Sequence, residues 1–206
     1  MKDSNPDIVN VLKTFFRDDR TIHVGYALFM KDFSHAPERS PAAFLDRDGV
    51  INVDIGYPHR PEDFCFVAGA PQAIRALHLH GYKVIVVTNQ SGVARGLFDE
   101  VAVRRFHDHM CAELARRDAF VDAIYMCPYH PAGTIARYRV DHPNRKPAPG
   151  MLLQAERDHH IDFSKSFLIG DKESDIQAAQ AVGVPGYMFR SGNLADFVEV
   201  ILKQIA

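Results

Sequence analysis

Cysteine is scarce in this chain of 206 residues: there are three, Cys65, Cys111 and Cys127, odd in number and far apart. That spacing argues against a disulfide framework and leaves the cytosol as the expected compartment, with structural thiols as the plain reading. Long apolar runs are missing as well. No stretch reaches the roughly 18 apolar residues that cross a bilayer, and the N-terminus, with Asp3, Asp7, Arg17 and Asp18, has no apolar signal core. A soluble, unprocessed protein is expected. Charge of one sign is nowhere concentrated: 24 basic and 26 acidic residues give a formal charge of -2 without a block of either sign. This speaks against nucleic-acid or membrane partners. No internal repeat or low-complexity tract occurs. The 47% hydrophobic composition is enough for one buried core, so one domain with an appendage, acting on a small soluble substrate, is expected.

From about residue 42 onward, short β-branched runs alternate with helical periods, the pattern of an α/β fold with a parallel sheet covered by helices. Ala42 to Leu45 reads as the first strand. Lys83 to Thr88 is apolar on both faces, as a central parallel strand is. Asp122 to Met126, Ser166 to Ile169 and Gly186 to Phe189 are three further strands, each preceded by a helical stretch. Val103, Phe106, Met110 and Leu114 form one apolar stripe between Asp99 and Arg117. Further helices are expected from Pro71 to Gly81, after Pro149-Gly150, from Ser174 to before Gly183, and from Leu194 to Ile205. Residues 1–41 form an N-terminal extension, with a helix over Asp7 to Phe16 and a linker from His35 to Pro41, and residues 42–206 form the domain.

Four clusters carry candidate chemistry. In Phe44-Leu45-Asp46-Arg47-Asp48-Gly49-Val50, two carboxylates two residues apart follow an apolar strand and precede a glycine that permits a sharp turn. Ligands of open parallel sheets bind at that edge; in isolation a solvated turn reads equally well. Val87-Thr88-Asn89-Gln90-Ser91-Gly92 offers a hydroxyl, an amide and backbone N–H groups to phosphate oxygens, or is a polar turn. Arg145-Lys146-Pro147 and Ile169-Gly170-Asp171-Lys172, with Asp175 four residues on, supply cations and further carboxylates. Together the clusters can hold Mg²⁺, bind phosphate and balance charge on a transferring phosphoryl group.

These four motifs, in this order, resemble the haloacid dehalogenase (HAD) superfamily over residues 42 to 190, and within it the heptose-bisphosphate and histidinol-phosphate phosphatases. The resemblance implies a three-layer Rossmann-like domain without a large cap, and a Mg²⁺-dependent phosphomonoester hydrolase working through an aspartyl-phosphate. By carry-over, Asp46 is the nucleophile, Asp48 the acid and base, and Lys146 the charge-neutralising group. Asp46, the backbone carbonyl of Asp48 and Asp171 would ligate Mg²⁺, while Thr88 and Asn89 hold the phosphate. Asp54, Ile55, Gly56, Tyr57, Gln90, Ser91, Arg145 and Lys172 would line the substrate pocket with them. For Asp175 three roles stay open: holding a metal-bound water, orienting Lys172, or capping a helix.

The implied substrate is a heptose 1,7-bisphosphate losing its 7-phosphate. Histidinol phosphate or another small metabolite is the alternative, and a nucleic-acid 3'-phosphatase or a non-catalytic binding module stands further off. A cytoplasmic monomer is expected. The family's zinc loop is altered: of its ligands only Cys127 stands in place, with His130 and His142 nearby. Three ligands fall short of a closed tetrahedral site, so structural zinc is not expected. Tyr129, Pro131 and Tyr138 are expected to hold the loop by packing. His78, His80, His107, His109, His159 and His160 are expected on solvated helix faces.

Overall fold

The structure is a computed structural model and describes residues 38–205; the helix expected over Asp7 to Phe16 lies outside them. Five strands form one parallel sheet: β1 (Ala42–Leu45), β2 (Lys83–Asn89), β3 (Ala123–Cys127), β4 (Phe167–Gly170) and β5 (Gly186–Met188). Their order is β3-β2-β1-β4-β5. The five intervening or closing helices are α1 (Ala70–Leu79), α2 (Glu100–Ala115), α3 (Gly150–His159), α4 (Glu173–Gln180) and α5 (Leu194–Ile205). None of the helices among the described residues is long and apolar enough to cross a membrane.

The unbroken apolar character of the central strands has a direct cause in the two cores. Ala43 and Leu45 of β1, Val84 and Val86 of β2, and Phe167 and Ile169 of β4 share one core with residues of α1, α2 and α5. Their sequence neighbours Ala42, Phe44, Ile85, Val87 and Leu168 point the other way, into a core with Met151, Leu152 and Ala155 of α3 and Ala178 and Ala179 of α4. Side chains alternate across a strand, so burial of both faces removes the polar positions an exposed sheet would show. The result is the three-layer arrangement implied by the motifs.

The strand boundaries expected from sequence hold within one or two residues. β2 and β3 each run one residue further, to Asn89 and Cys127, where those residues pair with one another. Asp99 caps α2 through its side chain, which accepts from the Ala102 N–H. At the sheet's start, Ser40 already pairs with Ile161, and Arg39 lies 2.9 Å from Glu156, so this end of the expected linker is bound to the domain.

Strand order reverses about β1, whose neighbours are β2 and β4. A crevice therefore opens at the carboxyl ends of these three strands, the place where open α/β sheets bind ligands. The first, second and fourth motifs all emerge there.

Two histidine expectations are corrected. His78 is half-buried, with its Nε2 2.9 Å from Asp122 and its ring stacked on Phe120. His107 is buried on α2, its Nε2 3.0 Å from Arg47 Nη1. Arginine offers only donors, so this nitrogen must accept, and the imidazole is neutral with its proton on Nδ1. Burial, reinforced by the Arg47 charge, lowers the His107 pKa to about 3. The unfolded chain binds this proton from about pH 6.5 downward, so folding stability is complete above that pH and falls by up to about 1.4 kcal/mol per pH unit toward pH 3. In His107→Gln, denaturant unfolding between pH 4 and 6 should show a shallower loss of stability on acidification; an unchanged slope would mean His107 is not neutral in the fold.

Candidate active site

Asp46 leaves β1 with its N–H still bonded to the Ile169 carbonyl of β4 (2.9 Å), which fixes its carboxylate between the two strands. Its Oδ1 accepts from the Arg47 N–H (2.7 Å) and lies 3.1 Å from Lys146 Nζ. Lys146 is only 2% exposed, and its ammonium also meets Asp175 Oδ1 at 2.5 Å and the Val87 carbonyl at 2.7 Å. Burial opposes charge on this lysine, but Asp46 and Asp175 outweigh it and hold the pKa above the usual value. The position of Lys146 depends on Asn89. The Asn89 side chain donates to the Lys146 carbonyl (3.0 Å) and accepts from its N–H (3.1 Å). Its side-chain amide thus clamps the lysine backbone.

Asp175 shows the capping alternative, together with a contact that sequence did not suggest. Its Oδ2 accepts from the Lys172 N–H at the start of α4, while its Oδ1 faces Lys146. Lys172 Nζ instead turns to Asp54 (3.2 Å) and Asp171 (3.7 Å), joining the loop after β1 to the loop after β4. Asp54 in turn accepts from the Gly56 N–H. Ile55 and Tyr57 of this loop are exposed, and Tyr57 has φ of 58°, a left-handed conformation that is costly for a bulky residue.

Asp48 sits in a cradle of donors. Arg47 holds it with two nitrogens (both 2.9 Å), Asn52 Nδ2 donates at 3.0 Å, and Gln90 Nε2 at 3.0 Å. Burial would raise its pKa, but Arg47 and these hydrogen bonds win and lower it. Gln90 also bonds Thr88 Oγ1 (2.9 Å) and is buried, so its side chain braces the site from behind. Ser91 and Arg145 are half-buried at the mouth. Arg145 lies 3.4 Å from the Tyr129 carbonyl, and its pKa is lowered by burial and by the neighbouring Arg95.

Arg47, Asn52 and His107 were not among the expected site residues. Arg47 is wholly buried, although its position between two carboxylates was visible in the sequence. His107 comes from a helix sixty residues on, and only folding brings it to Arg47.

The acidic residues can hold a cation. Oxygens of Asp46, Asp171 and Asp175 lie within 4.8 Å of one another. Asp171 Oδ1 is buried and has no partner among the described residues. Burial pushes the Asp46 carboxyl up to about 7, Lys146 opposing it and Asp175 and Asp48 adding to it. Burial likewise raises Asp171. A concentrated set of hard oxygen donors whose ionisation is held back by burial suits a small divalent cation. Gly49 permits the approach: its φ is +87°, and a Cβ there would collide with the Asp171 carboxylate.

Cys127, His130 and His142 have other partners. Cys127 is buried in the core below the sheet edge. His142 stacks on Tyr129 (centroids 4.2 Å apart), and His130 Nδ1 accepts from the Ala132 N–H. Tyr138 is buried and meets Tyr129 edge-on, as expected for the loop, whereas Pro131 is exposed and contributes no such packing.

Comparison with known proteins gives a consistent picture. A family model described as HAD-hydrolase-like matches residues 143–197. The D-glycero-beta-D-manno-heptose-1,7-bisphosphate 7-phosphatase of Rhodopseudomonas palustris is 46% identical over 170 residues, covering 82% of this chain and 94% of that one. The enzyme of the same name from Escherichia coli K12 is 49% identical over 144 residues, 70% of this chain and 75% of its own. Among solved structures, the D,D-heptose 1,7-bisphosphate phosphatase of B. bronchiseptica, complexed with magnesium and phosphate, superposes with a TM-score of 0.70 at 32% identity, covering 80% and 99% of the two chains.

Mg²⁺ at about 100 times its Kd should stabilise the protein by about 2.7 kcal/mol, a rise of roughly 5–10 °C in Tm. Gly49→Ala should abolish most of that rise. A wild-type melting curve that ignores Mg²⁺ would show that these carboxylates do not bind it.

Proposed function

This chain belongs to the HAD-like D-glycero-β-D-manno-heptose 1,7-bisphosphate 7-phosphatase family, and on that footing we propose that it removes the 7-phosphate from the β-anomer of this sugar bisphosphate. The observation that carries the reading is the buried Lys146 ammonium shared by Asp46 and Asp175, beside the partnerless oxygen of Asp171. That arrangement suits a phosphoryl group arriving at a carboxylate nucleophile.

Asp46, the Asp48 backbone carbonyl and Asp171 would hold Mg²⁺, which supplies positive charge to ionise Asp46 and to offset the phosphate. An Asp46 oxygen attacks phosphorus in line. The bond from phosphorus to the sugar oxygen breaks, its electron pair leaves with that oxygen, and Asp48, which is held ionised at rest and first takes up a proton from water, supplies that proton. Asp48, now ionised, takes a proton from a water that attacks the same phosphorus. The Asp46–phosphorus bond then breaks, returning the carboxylate and releasing inorganic phosphate. Lys146 balances charge on the transferring group throughout, and the Thr88 hydroxyl and the N–H groups at the end of β2 orient it.

The second phosphate of the substrate finds its counter-charge in Arg145, beside Arg95, at the mouth of the crevice. The exposed loop from Asp54 to Tyr57, tied through Lys172 to the metal-side loop, would meet the sugar. No large insertion separates the motifs, so selectivity rests on these loops.

Phosphate release should be measured on the β- and α-anomers of the heptose bisphosphate, histidinol phosphate and common sugar phosphates, with and without Mg²⁺. Expected is Mg²⁺-dependent release favouring the β-bisphosphate, lost by at least about 10³-fold in Asp46→Asn, in keeping with removal of a covalent nucleophile. Preference for histidinol phosphate would reassign the substrate; full activity in Asp46→Asn would remove the aspartyl-phosphate mechanism altogether.

A further inference from the structure

Arg47 and His107 have no place in the chemistry above, yet both are buried and bonded to one another. Arg47 is the largest side chain that is completely buried. Four of its five N–H groups are engaged: Nε on Asp48 Oδ1, Nη2 on Asp48 Oδ2 and on the Pro58 carbonyl (3.0 Å), and Nη1 on His107. Its guanidinium lies 4.4 Å from the centre of the Phe106 ring. Pro58 directly follows the loop that meets the substrate, so one nitrogen touches both the acid–base carboxylate and the base of that loop.

Asp48 has about four lone-pair positions, and all are taken: Oδ1 by Arg47 and Asn52, Oδ2 by Arg47 and Gln90. A carboxylate so saturated is held ionised, with no position left for the proton an acid must carry. To act, it must turn one oxygen out of the cradle while the other stays held. Whichever oxygen stays is still held by an Arg47 nitrogen, Oδ1 by Nε or Oδ2 by Nη2. We propose that Arg47, braced by His107 and Phe106, is a positioning residue that serves as the pivot for Asp48 and sets it relative to the substrate loop. The inference rests on the reading of Asp48 as the acid that protonates the leaving oxygen.

The test compares kcat/KM, which reports phosphoryl transfer to Asp46, for two esters. The heptose bisphosphate releases an alkoxide that needs a proton, whereas p-nitrophenyl phosphate releases an anion that does not. Arg47→Met should lose roughly 10²-fold on the sugar ester, the scale of general acid catalysis, and stay within about 3-fold on the aryl ester. His107→Leu should show the same selective loss at roughly 10-fold, and Arg47→Lys should recover part of it. If Arg47→Met fails to fold, as a melting curve will reveal, the His107→Leu ratio decides. Equal losses on both esters, or no loss on the sugar ester, would overturn the proposal and leave Arg47 as a structural residue. Asp46→Asn, run in parallel, separates this outcome from failure of the phosphatase reading, since it should silence both esters.

Discussion

The site depends on one buried positive charge. Asp46 and Asp175 are both hidden from water, and two carboxylates so close could not both ionise there without compensation. The Lys146 ammonium between them supplies it. Removing one partner of such a group leaves an uncompensated buried charge and typically costs about 3–5 kcal/mol. The same contact also organises the fold locally. Asp175 caps α4, Asn89 at the end of β2 fixes the Lys146 backbone, and Asp46 continues the ladder to β4. Three strands and a helix therefore converge on a single ammonium, and the site cannot form without the sheet edge forming.

A second buried cation divides the work. Arg47 takes Asp48 and leaves Asp46 to Lys146, so two aspartates two residues apart live in opposite environments. Asp46 is pushed up to about 7 while Asp48 is lowered. Environments that separate two carboxyl groups in this way are how one site distinguishes two roles. Here the protein alone leaves the nucleophile the harder of the two to ionise. On the proposed reading, a cation held with Asp171 would reverse that order, and ion binding would then be a condition for attack as well as a neutraliser of phosphate charge.

Much of this was legible in the chain itself. β1, β2 and β4 could be read because burial on both faces leaves continuous apolar runs, and the residues just past their ends had to lie along one edge. Asp46, Asp48, Thr88, Lys146 and Asp171 follow from that rule plus motif order. Residues whose roles depend on pairing in space were not legible. The clamp of Asn89 on Lys146 joins positions 57 residues apart, which no local pattern displays. The bonds of Gln90 to Asp48 and Thr88 likewise exist only in the fold. His107 shared an i+4 pattern with Val103 that marks the buried face of α2, and polar identity concealed this. Arg47 was hidden by the general rule that arginines lie at the surface, which fails where a full set of acceptors surrounds them.

The loop after β3 shows how the remaining wall of the crevice is kept in place. Tyr129 is stacked on His142 and meets Tyr138 edge-on, Tyr138 reaches Glu100 on α2, and the Ala94 carbonyl accepts from the Thr134 and Ile135 N–H groups. These contacts tie the loop to the turn after β2 through Ala94 and to α2 through Glu100. Arg145 follows the loop directly, beside the Tyr129 carbonyl. Aromatic packing and backbone bonds thus fix the distance between the cation at the mouth and the nucleophile inside. On the proposed reading, a substrate with anionic groups at both ends would be measured by that distance, and the loop's packing would then set selectivity.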